Sequence, residues 1–327
     1  MKTKIVYVLV SGMTDNYLEQ MMISIYSLRI YNPHAVVLLI IDDKTKLTLN
    51  YGRAKILDYV NDVIIVDLPK EYNNKKRSRF LKTSVRKYIS GDFLFVDTDT
   101  VITDDLSSID FCDADIAAVK DMHCSINENF YKKEIERKSK KIDYNIDTDD
   151  EYYNSGVIYV KDSFIADSFY NKWHENWIYG CSHGVYTDQA SLLKTNGEMG
   201  RVISELSGVW NCQIINNITF LLDSKIIHYF CSGIVKDNDN PPYLLMNDRV
   251  YEQIRKHDYI ISNDLKMNIL NAKKTFSIPL EVYSGRDLEL LHSRQFLFLK
   301  HYFYRFHLLY VFIGNKSNLS KIVYIMI

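Results

Sequence analysis

Two carboxylates separated by one small residue, Asp97-Thr98-Asp99, close the apolar run Phe93-Leu94-Phe95-Val96. Paired oxygen donors suit hard divalent cations, Mg²⁺ or Mn²⁺, which commonly share their coordination with a substrate's phosphates. The four β-forming residues follow Gly91-Asp92 and read as a strand buried on both faces. The carboxyl end of such a strand is where open α/β sheets place their ligands. Side chains alternate along a strand, so the two carboxylates share a face if extended geometry runs through Thr98. His228, inside the short strand signal Ile226 to Phe230, is a third candidate ligand. A neutral imidazole completes a Mn²⁺ site that two carboxylates begin, because Mn²⁺ tolerates mixed oxygen and nitrogen ligation better than Mg²⁺. The plain alternatives are an acidic turn after a strand and a structural histidine at a strand end.

The elements around these residues alternate in type. Ile5 to Val10 is an apolar strand ending in the turn Ser11-Gly12. Asp15-Asn16 can cap a helix whose apolar positions Leu18, Met21, Met22, Ile25 and Leu28 recur at helical spacing, and Asn32-Pro33 stops it. Val36 to Ile41 is a second buried strand and Val63 to Val66 a third, with a helical stretch around Ala54 to Val60 between them. Arg77 to Ile89 reads as a helix leading into the Phe93 strand. The repetition of strand and helix predicts a mostly parallel central sheet with helices on both faces. After Ile116 to Val119, residues 122–150 are rich in Lys, Glu, Asp and Asn with little periodicity, which predicts a surface insertion or lid. Tyr152 to Val160 restores a strand, Phe164 to Trp177 a helix, and Thr187 is the expected N-cap of a helix opening with Asp188-Gln189.

From residue 244 the texture changes, so the expected division is a catalytic domain over 1–243 and a smaller helical C-terminal region over 244–327. Beyond Glu289, the last acidic residue, Arg294, Lys300, Arg305, Lys316 and Lys321 stand among aromatic and aliphatic side chains. Two readings fit that segment: attachment to an anionic membrane surface, or a helix packed on the main domain. The chain has 327 residues, 47% of them hydrophobic, and 40 basic against 41 acidic residues, a formal net charge of −1. No global field favours nucleic acid. Five cysteines with no Cys-x-x-Cys spacing argue against a zinc site or disulfide framework and fit a reducing cytoplasm. The N-terminus reads as a first strand rather than a signal segment, and no apolar run reaches the roughly 18 residues that span a bilayer.

Taken in order, Asn16-Tyr17, Arg79, Asp97-Thr98-Asp99, Asn154-Ser155-Gly156, Asp188-Gln189 and His228 resemble the motif series of glycosyltransferase family 8. That family includes glycogenin and bacterial lipopolysaccharide galactosyl- and glucosyltransferases of the GT-A fold. The likeness runs from about Lys4 to Lys236. It implies that Asp97, Asp99 and His228 ligate Mn²⁺ (or Mg²⁺) on the diphosphate of a UDP-sugar. It further implies that Ser11, Gly12 and Tyr17 hold the uracil, and that Arg79, Asn154 and Asp188 grip the donor sugar. Gln189 is then placed beneath the anomeric carbon, and Gly233 with Lys236 is the counterpart of the family's diphosphate clamp. Two positions depart from the pattern: Thr14 stands near where the family carries an Asp, and Asp237-Asn238 follows Lys236 instead of Pro-Trp.

The resemblance thus implies a UDP-hexose donor, a saccharide or glycolipid acceptor, retention of configuration, and a place in cell-surface polysaccharide or lipopolysaccharide synthesis. It also implies a cytoplasmic protein, peripheral to the inner membrane face if the tail attaches there. A sugar-phosphate nucleotidyltransferase is the enzyme alternative, but it calls for a longer Gly-rich phosphate loop than Ser11-Gly12. A non-catalytic carbohydrate- or membrane-binding protein of the same fold is the other, and the intact Asp97, Asp99 and His228 set weighs against it.

Overall fold

The computed structural model describes residues 1–215, 218–230, 243–274, 293–296 and 298. The chain divides into two compact units, Met1–Ser277 and Ile278–Ile327. In the second unit the described residues form a short helical turn, in which the Phe296 amide donates to Ser293 Oγ at 3.1 Å. The rest of the basic, aromatic tail lies outside the described residues, as do Gly233 and Lys236.

In the first unit the strands are β1 (Lys4–Leu9), β2 (Val37–Asp42), β3 (Asp62–Val66), β4 (Phe93–Val96), β5 (Thr100–Ile102), β6 (Ile116–Lys120), β7 (Tyr153–Val160), β8 (Ile203–Glu205), β9 (Cys212–Gln213) and β10 (Ile226–His228). The helices are α1 (Tyr17–Tyr31), α2 (Asp43–Thr48), α3 (Asn74–Thr83), α4 (Lys132–Lys141), α5 (Phe164–Ser182), α6 (Asp188–Glu198), α7 (Asp248–Lys256) and α8 (Asn263–Leu270). Seven strands form the central sheet in the order β3-β2-β1-β4-β7-β6-β8, and β5-β10-β9 form a second, smaller sheet. The run β3-β2-β1-β4 is parallel, β7 is antiparallel to both neighbours, and β6 and β8 are parallel.

β1, β4 and β7 are buried on both faces, as their continuous hydrophobic runs require, whereas β3 at the sheet edge leaves Ile65 exposed and buries only Val66. Ile5, Tyr7 and Leu9 of β1 join one core, together with Leu94 and Val96 of β4. Val6 and Val8 join the core on the opposite face with Phe93 and Phe95. The first core is filled by α1 through Leu18, Met21, Met22, Ile25 and Leu28. It continues past residue 243, because Tyr243, Leu245, Val250, Tyr251, Ile254, Leu265 and Ile269 pack into it. Val250 and Ile254, one helical turn apart, set the buried face of α7, which Asn247 caps by accepting from the Val250 amide at 3.1 Å.

Several elements differ from the expectations. The stretch around Ala54 to Val60 is a 3₁₀-helix, Tyr51–Tyr59, rather than an α-helix. The helix carrying Arg79 starts earlier, at Asn74, where Asn73 accepts from the Lys76 amide at 3.0 Å. It ends at Thr83, and Val85–Lys87 is a separate 3₁₀ turn. The polar insertion is not featureless. It contains α4, whose Ile135 packs with Ile126, Tyr152 and Leu193. At the head of α1, Asn16 holds the N-cap position but makes no side-chain cap. Asp15 reaches the Tyr17 amide instead, at 3.3 Å. Among the described residues no helix is long and apolar enough to cross a membrane.

Candidate active site

The metal-ligand candidates meet where the chain passes between the two sheets. β4 ends at Val96, and the Asp97 amide donates to Gly156 O of β7 at 2.7 Å. The chain then turns at Thr98-Asp99 rather than staying extended, and Thr100 Oγ1 closes the turn on Asp97 O at 2.8 Å. The shared face of Asp97 and Asp99 therefore comes from a turn, not from strand alternation. β5 starts at once, and β10 lies antiparallel to it with His228 opposite Thr100. The Tyr229 amide also donates to Asp99 O at 3.0 Å. This pairing carries the imidazole across more than a hundred residues of sequence. Ligand atoms of Asp97, Asp99 and His228 lie within 4.8 Å of one another.

Which imidazole nitrogen faces the carboxylates follows from a chain of buried hydrogen bonds. The Gly156 amide, a donor only, reaches Asn154 Oδ1 at 2.9 Å. That makes Asn154 Oδ1 an acceptor, and Asn211 Nδ2 donates to it at 2.9 Å. Asn211 Oδ1 is then the atom facing His228 Nδ1 at 3.0 Å, so Nδ1 carries the hydrogen. Nε2, on the other side of the ring, stands 3.2 Å from Asp99 Oδ1. An orienting partner on the far nitrogen is the usual support of a metal-binding histidine. Two carboxylates with one imidazole, their ligand atoms gathered this closely, fit a Mn²⁺-type ion. Gly156 is needed here, since a Cβ would stand 2.3 Å from His228 Cε1. Phe230 stacks on the ring at 4.2 Å.

Beside this cluster, α3 and α6 bring cations to a buried carboxylate. Arg77 ties α3 to the sheet through an ion pair with Asp42, both side chains being buried. The next helical turn then presents Arg79 and Lys82. Arg79 Nε lies 3.2 Å from Asp188 Oδ1, and Lys82 Nζ 3.3 Å from Asp188 Oδ2. Ser155 Oγ donates to Asp188 Oδ2 at 2.7 Å. Burial alone would push the Asp188 carboxyl up, but Lys82, Arg79 and the Ser155 hydroxyl outweigh it and hold it well below the usual carboxylate range. Lys82 also lies 3.0 and 2.9 Å from the two oxygens of Asp97. Burial pushes the Asp97 carboxyl up while Lys82 pulls it down, and the net shift is upward. Arg79 is kept charged first by Asp188 and more weakly by Asp97, Tyr17 and Asp99, so these groups share one electrostatic neighbourhood.

Gln189 follows Asp188 on the first turn of α6 but points elsewhere. Its Nε2 donates to Asp121 Oδ1 at 3.0 Å and to Tyr153 O at 3.3 Å. Asn154 Nδ2 donates to the same Asp121 oxygen at 2.9 Å. Both Gln189 amide hydrogens are used, and its remaining functional atom is the carbonyl oxygen. A cavity of about 300 Å³ opens beside it, with Asp121, Tyr131, Glu134, Lys138 and Phe230 among its walls.

The turn after β1 is braced from behind. Ser11 Oγ donates to Asp15 Oδ1 at 2.7 Å, and the Gly12 amide to Asp15 Oδ2 at 2.6 Å. Buried Arg53 reaches Ser11 Oγ at 3.0 Å and Gly12 O at 2.7 Å. Tyr17 keeps an exposed ring at the head of α1. Asn16 is directed away from this group: its amide bonds Asp248 of α7 at 3.0 Å and accepts from Arg255. Lys82, Asp121, Asn211 and Arg53 were not legible as site residues. Each acts through partners far away in sequence, and none belongs to a local motif.

No protein-family model and no curated protein sequence matches the chain. Solved structures do. The galactosyltransferase LgtC, in complex with donor and acceptor sugar analogs, matches with a TM-score of 0.51 at 14% identity, over 81% of this chain and 99% of that one. Mouse xyloside xylosyltransferase 1 gives 0.47 at 12% identity, over 71% and 99%. The glycosyltransferase GlyE from Streptococcus pneumoniae TIGR4 gives 0.46 at 16%, over 83% and 63%. At such identities the likeness speaks to the fold, and the fold of this chain, with its mostly parallel sheet flanked by helices, is the GT-A fold seen in the galactosyltransferase.

Proposed function

We propose that the protein is a metal-dependent glycosyltransferase that moves a hexose from a UDP-sugar to a saccharide or glycolipid acceptor with retention of configuration. Cell-surface polysaccharide or lipopolysaccharide synthesis is the setting that fits this reading. The observation that carries it is the Asp97, Asp99 and His228 cluster, with Nε2 aimed by Asn211, next to an ionised Asp188.

Asp97, Asp99 and His228 would hold a Mn²⁺ or Mg²⁺ ion, which would supply positive charge for a leaving diphosphate. Arg79 and Lys82 add fixed cations in the same neighbourhood, and being already oriented they need little reorganisation as charge develops. Asp188, anionic and anchored on three sides, offers acceptor oxygens to sugar hydroxyls. Its anchoring also argues against a nucleophilic role, because its oxygens are already bonded to Arg79, Lys82 and Ser155. Gln189, its amide nitrogen held by Asp121 and Tyr153, keeps a neutral carbonyl oxygen as an acceptor suited to positive charge at an anomeric carbon. A front-face attack through an oxocarbenium-like state is consistent with this set. The nucleotidyltransferase alternative gains nothing from the structure of the β1 turn, whose Ser11 and Gly12 are occupied by Asp15 and Arg53.

A thermal-shift screen of UDP-sugars, with and without Mn²⁺, tests the assignment. A ligand at 100 times its Kd stabilises a protein by about 2.7 kcal/mol. A UDP-hexose that raises the melting temperature only with Mn²⁺ supports the transferase. Stabilisation by UTP together with a sugar 1-phosphate, and not by UDP-sugars, supports the alternative.

A further inference from the structure

The cavity beside Gln189 and one face of α4 belong together. α4 supplies Glu134 and Lys138 to the cavity wall, paired with each other at 2.7 Å, and Tyr131 stands just before its first turn. On the adjoining face lie Lys133, Arg137, Lys140 and Lys141, all exposed. At 100° per residue these four fall within an arc of roughly 100° and extend about 12 Å along the axis. Among the described residues none of the four is within ion-pair distance of a carboxylate, although Arg137 acts on Glu134 electrostatically, whereas Lys132 is tied to Asn127 Oδ1 at 2.8 Å. A chain with a net charge of −1 thus places four exposed cations on one helix face, and the same helix lines a cavity at a candidate catalytic residue.

A solvated lysine face is the ordinary outcome for such a helix, and like charges at this spacing repel. Their place on the helix whose Glu134 and Lys138 line the cavity argues for a ligand. A membrane surface fits less well. Interfacial helices bury an apolar face in the lipid, and here the apolar Ile135 is already packed against Ile126, Tyr152 and Leu193. What α4 leaves outward is charge along its length, with aromatic surface at its start in Tyr131. Aromatic walls, the two carboxylates Asp121 and Glu134 and one ammonium around about 300 Å³ suit a pyranose ring: apolar contact for its face, hydrogen bonds for its hydroxyls.

We propose that the acceptor is an anionic saccharide, one bearing carboxylate or phosphate groups, whose terminal sugar enters the cavity beside Gln189 while its charged groups run along the Lys133, Arg137, Lys140 and Lys141 face of α4. This rests on the glycosyltransferase reading for the word acceptor; the binding surface itself does not.

The test is calorimetry on the full chain with three probes: hexagalacturonate, maltohexaose, and vesicles of equal phosphatidylcholine and phosphatidylglycerol. The wild type should bind hexagalacturonate, weaken as salt rises, and bind maltohexaose at least tenfold less well. The combined variant Lys133→Gln, Arg137→Gln, Lys140→Gln, Lys141→Gln should lose at least tenfold in affinity. Lys133→Arg, Lys140→Arg, Lys141→Arg should keep it. Tyr131→Ala, which alters no charge, should also weaken hexagalacturonate if the cavity and the cationic face act together. Equal binding of both oligosaccharides, an unchanged glutamine variant, an unchanged Tyr131→Ala, or capture by the vesicles alone would each overturn the proposal. Mn²⁺-dependent UDP-sugar hydrolysis, measured in parallel, should be the same in wild type and glutamine variant. Variant-sensitive hexagalacturonate binding without any hydrolysis would sink the transferase reading and leave the surface standing.

Discussion

Lys82 places its ammonium within 3.0 Å of both oxygens of Asp97, the same carboxylate that the Asp97, Asp99 and His228 cluster needs as a ligand. It also reaches Asp188 at 3.3 Å, and its side chain is only 4% exposed. A buried cation this close to a ligand oxygen opposes a divalent ion electrostatically. It also keeps two neighbouring anions compatible before any ion arrives.

Lys82→Met should therefore bind Mn²⁺ more tightly and fold less well. We expect roughly a tenfold gain in affinity, given Coulomb energies of a few kcal/mol at this separation in a partly screened site. The metal-free variant should lose about 3 kcal/mol or more, the usual cost of breaking a buried pair. Titration calorimetry with Mn²⁺ and denaturant melts without it provide both values. An unchanged or weaker Mn²⁺ affinity would mean that Lys82 does not compete for Asp97.

Asn211→Leu removes the acceptor that fixes His228 Nδ1–H while keeping a buried side chain of similar size. Loss of such an orienting partner typically weakens metal affinity 10- to 100-fold. Calorimetric titration with Mn²⁺ should show a drop in that range, and an affinity equal to wild type would remove Asn211 from the account.

Asp188 and Gln189 are adjacent, and the structure sends them to different partners. Asp188→Asn should disturb both KM and kcat, since charge and orientation are lost together. Gln189→Ala should chiefly lower kcat, because a carbonyl oxygen near developing positive charge matters most in the transition state. Steady-state kinetics separates the two, and a Gln189→Ala enzyme with normal kcat would contradict the role given to its oxygen.

The strand that leads into the site was visible in the chain, but the wiring of the site was not. Phe93 to Val96 announces a buried strand, and the carboxylates after it announce a ligand site. Nothing local announces the turn at Thr98-Asp99, which replaces the extended geometry expected there. Asn211 and Asp121 look like ordinary polar residues until β9, β10 and β7 bring Asn211 to His228 and Asn154 to both of them. α4 was hidden because its core contact rests on few residues, chiefly Ile135, amid a lysine-rich stretch. Asn16 stands at a motif position, and only the fold shows that its amide is engaged by Asp248 and Arg255.

A buried histidine behind α3 gives a pH dependence of known sign. His174 faces Phe80 and Trp177 and bonds Thr83 Oγ1 at 2.8 Å. Burial, with Lys87 adding to it, pushes the imidazole down to about 4. Above the unfolded value of about 6.5 both states are neutral and the group is silent. Below it the unfolded chain takes the proton first, so stability falls as pH drops from about 6.5 to about 4, by 2–3 kcal/mol in all. Urea melts across that range should show the loss, and His174→Phe should reduce it. An undiminished slope in that variant would assign the effect to other groups.

The most direct test of the central claim is release of UDP from a UDP-hexose with Mn²⁺ and no acceptor, comparing wild type with Asp99→Ala. Both proteins should melt alike without metal, since Asp99 lies at the cluster rather than in a core. The account predicts slow Mn²⁺-dependent hydrolysis by the wild type, abolished by EDTA and absent in the variant. Hydrolysis at the wild-type rate in Asp99→Ala, or in excess EDTA, would contradict it.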